Sequence, residues 1–308
     1  MRFELPDELK FITNSRLPQK HTDERLDGKI CLITGATSGV GYQGAIHLAK
    51  AGAHIIMIAR NRDKAEKLCE EIKDISGKKG DYRIADFTRL GEVRKAVGSI
   101  LAAYPAIHIL INSAGVHFTH RTLTEAGHET VFCVNHLASF LVTRLMLDRM
   151  IASAPSRITQ INSEGHRFNG LRINDLNWEK RPYIGLGGYG AAKTAQLLTM
   201  WEFNDMLKGS GVTINAIHPG AVKTNIGNNN GFLYRLYLHN ILWHFLKEPG
   251  IAGDALHYLA ASPELADISG KFYNLTHEEV PASHARNRTL GKYMFKKSDE
   301  LTTFQKDH

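Results

Sequence analysis

The 308-residue chain has few cysteines, no long apolar run and no block of like charge. Its three cysteines, Cys31, Cys69 and Cys133, are odd in number, widely spaced and set in apolar surroundings. That pattern argues against a disulfide framework and for reduced packing residues inside a cell. No stretch offers the roughly 18 uninterrupted apolar residues that a membrane-spanning helix needs. The opening "MRFELPDELKFITNS" mixes charges and lacks the apolar core of a secretory signal. Together these absences set a cytoplasmic expectation. Lys and Arg exceed Asp and Glu by 38 to 31, a net charge of +7. Neither a basic run nor a finger-like Cys/His spacing accompanies the excess, so no nucleic-acid partner is expected. The 16 histidines are scattered. Even His117 and His120 of "HFTH" lack a cluster around them, so no metal site is expected.

What is present is the composition of an ordinary globular chain, 43% hydrophobic and 22% charged, long enough for one large α/β domain. Short apolar runs alternate with longer amphipathic ones. "KICLIT" (29–34), "HIIMIA" (54–59), "YRIA" (82–85), "IHILIN" (107–112), "RITQIN" (157–162), "VTINAIH" (212–218) and "KFYNL" (271–275) are strand candidates. Several are apolar without strict alternation, as strands covered on both faces should be. Helical patterns lie between them at about 40–51, 63–75, 89–103, 127–151 and 190–208, with a late one near 250–261. This order predicts a doubly wound parallel sheet of about seven strands with helices on both faces, in a single domain over 28–275. Residues 1–27 and 276–308 read as polar arms outside it.

The first strand runs into "TGATSGVG" (34–41) and then a helix. Gly35 permits a tight turn, Gly39 lets the backbone approach a phosphate, and Gly41 lets the helix pack closely. With Thr37, Ser38 and Val40 they form a loop whose following helix N-terminus suits a pyrophosphate. The NAD fingerprint places a carboxylate after the second strand. Here that strand ends in Arg60 and Asn61, followed by Arg62. A guanidinium attracts a 2′-phosphate that a carboxylate would repel, so NADP(H) is expected in preference to NAD(H), which stays possible. Further on, "YGAAK" sets Tyr189 and Lys193 one helical turn apart on a shared face.

In chain order the motifs are "TGATSGVG", "ADF" (85–87), "INSAG" (111–115), "VNHLASF" (134–140), "INSEG" (161–165), "YGAAK" and "IHPGAVKT" (217–224). In this order and register they resemble the short-chain dehydrogenase/reductase family over residues 26–275. "VNHLASFLVT", the spacing from Ser163 to Tyr189 and "HPGAVKT" are most similar to its retinol-dehydrogenase-like branch. The resemblance implies a Rossmann fold and an oxidoreductase. It also implies that Ser163, Tyr189 and Lys193 are catalytic, with Asn135 as the fourth member, holding a water that links Lys193 to solvent. Asp86 and Phe87 would flank the adenine, and Asn112, Ala114 and Gly115 the ribose. Tyr189 and Lys193 would also face the cofactor, whose nicotinamide end would be held by Pro219, Gly220, Val222 and Thr224. Two positions depart from the family's pattern: Ser113, where a second asparagine is common, and Asn162, where a second serine is common. The expected chemistry is proton transfer by Tyr189. A free phenol has a pKa near 10, and an ammonium about 4 Å away could lower it substantially.

The substrate side is expected to be apolar. The stretch "GFLYRLYLHNILWHFLKEPG" (231–250) is bulky and apolar with Arg235, His239 and Lys247 interspersed. It could be a lid (225–250) over a small apolar carbonyl or alcohol, an oligomer contact, or a peripheral membrane contact through 231–246. The glycines at 185, 187, 188 and 190, with Tyr183 and His166, could form the opposite wall or only a flexible turn. A homodimer or homotetramer is the expectation drawn from the family. The rival reading is a non-catalytic, dinucleotide-sensing binding protein on the same fold.

Overall fold

A computed structural model describes residue 14 and residues 17–220 and 250–303 of the chain. Eight strands form one sheet: β1 (Ile30–Thr34), β2 (His54–Ala59), β3 (Asp81–Ile84), β4 (Ile109–Asn112), β5 (Ser156–Ile161), β6 (Val212–His218), β7 (Phe272–Asn274) and β8 (His277–Glu279). Their spatial order is β3-β2-β1-β4-β5-β6-β7-β8, parallel except for the β7–β8 pair. Helices α1 (Gly39–Lys50), α2 (Arg62–Ser76), α3 (Leu90–Ala103), α4 (Thr130–Ala152), α5 (Gly185–Met206), α6 (Gly250–Ala261) and α7 (Arg288–Thr303) cover the sheet.

The two-residue period of a strand divides the core into two layers. Leu32 of β1 and Ile56 and Ile58 of β2 join Val97, Phe140 and Phe203 on one face. Cys31 and Ile33, with Ile55 and Met57, join Leu48, Leu256 and Tyr258 on the other. Apolar residues at consecutive positions of these strands are therefore all buried, as a sheet covered on both faces requires. The chain winds outward from β1 in one direction and resumes at β4 in the other. A crevice thus opens at the carboxyl ends of β1 and β4.

Two segments differ from the sequence expectation. An eighth strand follows β7, where a polar arm was expected, and α7 lies against α5. Met294 is fully buried, and Phe295 meets Phe140 and Phe203 at ring-centroid distances of 5.0 and 4.9 Å. Its apolar stripe is narrow and embedded among charges, so composition reads as polar where periodicity would not. At the other end, Gln19 Oε1 accepts from Thr276 N at 3.1 Å, and Leu26 is buried. The described part of the N-terminal arm is thus tied to the β7–β8 turn.

Among the described residues one helix, Thr130–Ala152, is long and apolar enough to cross a membrane by length and composition, but it lies mostly inside the fold. The three cysteines are free and buried. The expected lid (225–250) and the 231–246 stretch lie outside the described residues, except for Gly250 at the start of α6.

Candidate active site

The glycine turn after β1 fits a dinucleotide pyrophosphate. Gly35 takes φ +67°, and a Cβ there would sit 2.7 Å from Ala114 Cα and 2.9 Å from Ala114 N. The loops after β1 and β4 are therefore in backbone contact, reinforced by Thr34 Oγ1 accepting from Ser113 N at 3.0 Å and Ala114 N at 3.1 Å. Gly41 has no room for a side chain either, with Gly35 O 2.6 Å from a Cβ position and Ser113 Oγ 2.9 Å. Ser38 caps α1 in extended conformation without a side-chain bond, and no acid occupies the first turn. The first N–H groups of α1 are left to an external anion. Thr37, Gly39 and Val40 are each partly exposed along this loop.

Other expected cofactor residues divide. Arg60 is exposed at the end of β2 and has no ion-pair partner among the described residues. Asn61 is the N-cap of α2, its Oδ1 accepting from Lys64 N at 2.9 Å, so its side chain already has a structural task. Ala114 and Gly115 face the crevice. Asn112 does not: its side chain is buried and donates to Thr143 Oγ1 at 2.9 Å. Phe87 likewise turns into the core, and Asp86 Oδ1 accepts from Thr88 N and Oγ1 at 2.9 and 2.8 Å. Pro219 is buried, and Gly220, at φ +81°, packs against Leu275. Val222 and Thr224 lie outside the described residues.

Ser163, Tyr189 and Lys193 come together at the ends of β5 and α5. The Tyr189 ring and the Ser163 hydroxyl both border Gly165, where a Cβ would lie 3.2 Å from Ser163 Oγ. The phenol ring lies over Gly165, where a Cβ would be 2.7 Å from the ring, and meets His117 edge-on at 5.7 Å. Only a glycine at 165 lets the ring approach the serine. Ser163 is fixed through its backbone, with its N–H donating to Asn162 Oδ1 at 2.8 Å. His166 Nε2 accepts from Ala282 N at 3.1 Å, so its proton sits on Nδ1, which donates to Ser163 O at 2.8 Å. Burial pushes His166 down to about 4, keeping it neutral. It is a buried brace beneath the serine rather than the pocket wall expected from sequence. Tyr183 is also structural, donating to buried Glu129 at 3.2 Å.

The expected tyrosine–lysine electrostatics are not found in this geometry. Lys193 Nζ donates to Ile161 O at 2.6 Å and lies 5.8 Å from the Tyr189 ring centroid. Burial lowers the ammonium to about 7, because a charge in this surround is poorly solvated. Burial also raises Tyr189, and only the Ser163 side chain opposes it. Tyr189 is therefore an un-ionised acid at neutral pH. Asn135 sits in a π-helical turn, Cys133–Leu137, at the head of α4. Its carboxamide is engaged at both ends by Val116, accepting from N at 2.7 Å and donating to O at 2.9 Å. Its carboxamide thereby holds the loop after β4.

The glycines before Tyr189 are not a flexible turn. They form the first turns of α5, which begins at Gly185 rather than near 190. A Cβ would strike Phe118 O at 2.6 Å from Gly185, the Trp178 ring at 2.8 Å from Gly187, and Tyr183 Oη at 2.4 Å from Gly188. Helix propensity is given up there so that three loops can close on the helix that carries Tyr189. Sequence reasoning gave no role to His117 and no partner to Glu164. Glu164 bonds Arg167, and burial, together with the Glu164 charge, pushes buried Glu279 up to about 8.

A dinucleotide-accepting turn at the sheet's switch point, with a serine–tyrosine pair and a buried lysine beside it, defines a nicotinamide-dependent oxidoreductase. The model of the short chain dehydrogenase family matches residues 29–231. The chain belongs to that family. Retinol dehydrogenase 13 of Homo sapiens is 36% identical over 94% of this chain and 88% of its own length. Retinol dehydrogenase 12 of Mus musculus is 34% identical over 92% and 89%. A crystal structure of an uncharacterized protein from Mycobacterium paratuberculosis superposes with a TM-score of 0.70 at 25% identity, covering 91% of this chain and 95% of that one.

Proposed function

We propose that the chain is an NADP(H)-preferring reductase of apolar carbonyl compounds, of retinoid-, steroid- or lipid-like character. The observation that carries this reading is the grouping of the Tyr189 phenol with Ser163 around Gly165 and with Lys193 Nζ 5.8 Å from its ring, burial holding the phenol protonated. A reduced dinucleotide held by its pyrophosphate at the glycine turn would supply the hydride from its nicotinamide. Tyr189 Oη gives its proton to the carbonyl oxygen, and the Ser163 hydroxyl bonds the same oxygen and fixes its place. The reverse direction needs the phenolate, which burial disfavours, so alcohol oxidation should rise with pH above neutrality. The names of the retinol dehydrogenase relatives support an apolar substrate. So do exposed Phe168, Ile184 and Leu186, close to Tyr189 in the 164–168 turn and at the start of α5. Cytoplasmic placement, a peripheral membrane contact through 231–246, a lid over 225–250 and a homodimer or homotetramer belong to the same proposal.

The test is oxidation of NADPH and of NADH over a panel of apolar aldehydes, ketones, retinoids and steroids, followed by loss of the reduced nicotinamide's absorbance. A chain that binds dinucleotide but turns over none of them would favour the non-catalytic sensor. The exposed Arg60 gives the panel a second use. Arg60→Asp should lower kcat/KM for NADPH by about 10- to 100-fold, the scale of one charge-assisted phosphate contact. It should leave NADH within about threefold, because NADH lacks the phosphate. An equal loss with both dinucleotides would remove the role given to Arg60.

A further inference from the structure

We propose that Asn162 is a positioning residue that holds the serine and the lysine of the active site in fixed relation, an inference that rests on the reductase reading for its kinetic consequences. Asn162 is the last residue before Ser163 and is 2% exposed. Its carboxamide faces both functional residues at once. Oδ1 accepts from Ser163 N at 2.8 Å, while Nδ2 donates to Lys193 O at 3.0 Å and to Gln196 Oε1 at 2.8 Å. Its backbone N–H donates to Ile217 O at 2.7 Å, so the residue is anchored to β6. Lys193 is thereby tied to the end of β5 at both of its ends, by its carbonyl through Asn162 and by Nζ through Ile161 O at 2.6 Å.

The clamp is itself backed by a buried polar chain. Gln196 Nε2 donates to Gln160 Oε1 at 3.2 Å, and Gln160 Nε2 donates to Thr143 Oγ1 at 3.0 Å. Thr143 Oγ1 donates to Ser139 O at 2.9 Å, and Ser139 Oγ donates to Asn135 O at 3.1 Å. Such a chain keeps a single arrangement because any rotated member leaves a buried polar group without a partner. A serine at position 162 could not do the same work. Its hydroxyl lies on Cβ, too short to reach the Ser163 N–H and the Lys193 carbonyl together. The asparagine is thus a departure with a physical purpose: it joins the serine strand-end and the lysine helix directly.

The experiment compares Asn162→Ser, Asn162→Asp and Thr143→Val in the full chain. Amide hydrogen exchange at Ser163 reads the clamp without any turnover. Asn162→Ser should speed that exchange by at least about tenfold, since the amide loses its acceptor. Asn162→Asp should keep it protected, since the acceptor oxygen facing the Ser163 N–H remains. In NADPH-dependent reduction, Asn162→Ser should lower kcat by about 10- to 100-fold, as a displacement near 1 Å does. KM for NADPH should stay within about threefold, since the glycine turn is untouched. Thr143→Val, three hydrogen bonds away from Asn162 along that chain, should lower the melting temperature yet keep kcat within about threefold of wild type. Unchanged exchange at Ser163 in Asn162→Ser would overturn the proposal. So would a kcat loss in Thr143→Val as large as in Asn162→Ser, which would mark the network as merely structural. A wild type without reductase activity would instead sink the functional reading, and the exchange measurement would still decide the placement of Ser163.

Discussion

Tyr189→Phe should lower turnover by at least about a thousandfold, within the range that a positioned general acid contributes, while NADPH still binds within about threefold. The substitution removes one oxygen and leaves the ring where it is. That ring is held by its approach to Gly165 and by the His117 edge at 5.7 Å, contacts that phenylalanine keeps. The lost oxygen is the phenol oxygen on the ring that borders Gly165 beside Ser163. His166 is neutral and has both ring nitrogens committed to Ser163 O and Ala282 N, so it cannot take over. Lys193 Nζ donates a hydrogen bond to the Ile161 carbonyl and lies 5.8 Å from the tyrosine ring centroid. Single-turnover kinetics and a direct binding titration, made on the same preparation, separate the two effects. Turnover within tenfold of wild type would assign the proton to another group.

Gly35→Ala should abolish measurable dinucleotide binding, with a loss of at least about 30-fold, and should destabilise the fold by more than the 1–2 kcal/mol typical of a left-handed residue. The matched comparison is Gly77→Ala. Both glycines are left-handed, at φ +67° and +72°, but nothing lies within 4 Å of a Cβ at Gly77, whereas Ala114 Cα lies at 2.7 Å at Gly35. Gly77→Ala should therefore show only the backbone strain, about 1 kcal/mol, and unchanged binding. At Gly35 the obstructing atoms are main chain and cannot swing aside. Room can come only by parting the loops after β1 and β4, which breaks the bonds from Ser113 and Ala114 to Thr34 Oγ1. Chemical denaturation and dinucleotide titration of the pair read the two terms apart. Equal behaviour of the two variants would refute the close approach.

The seven strands and the glycine turn were legible because each carries a local signal: a short apolar run, a turn glycine, a helix that follows. The eighth strand, His277–Glu279, is three polar residues long and exists through pairing with β7, so it has no pattern of its own. That Ser163, Tyr189 and Lys193 come together was legible through the resemblance, but the electrostatics around them were not. The atom that claims Lys193 is the main-chain oxygen of Ile161, which leaves no mark in a sequence. The depth of burial that brings the lysine to about 7 is likewise a property of packing around it. Asn112 and Phe87 stand in cofactor motifs yet face inward, because strand-end residues alternate sides and a motif does not say which side is the crevice. Asn162 stood out only as a departure until its partners on α5 were seen.

The proposed proton donor is the Tyr189 phenol, and its ionisation can be followed directly as the difference in tyrosinate absorbance between the wild type and Tyr189→Phe, without bound dinucleotide. Because burial raises Tyr189 above the ordinary value of 10.0, the difference should stay flat through neutral pH and appear only in the strongly alkaline range. A transition near neutrality would contradict this, and would mean that a cation reaches the phenolate and that the resting site is built for taking a proton from an alcohol.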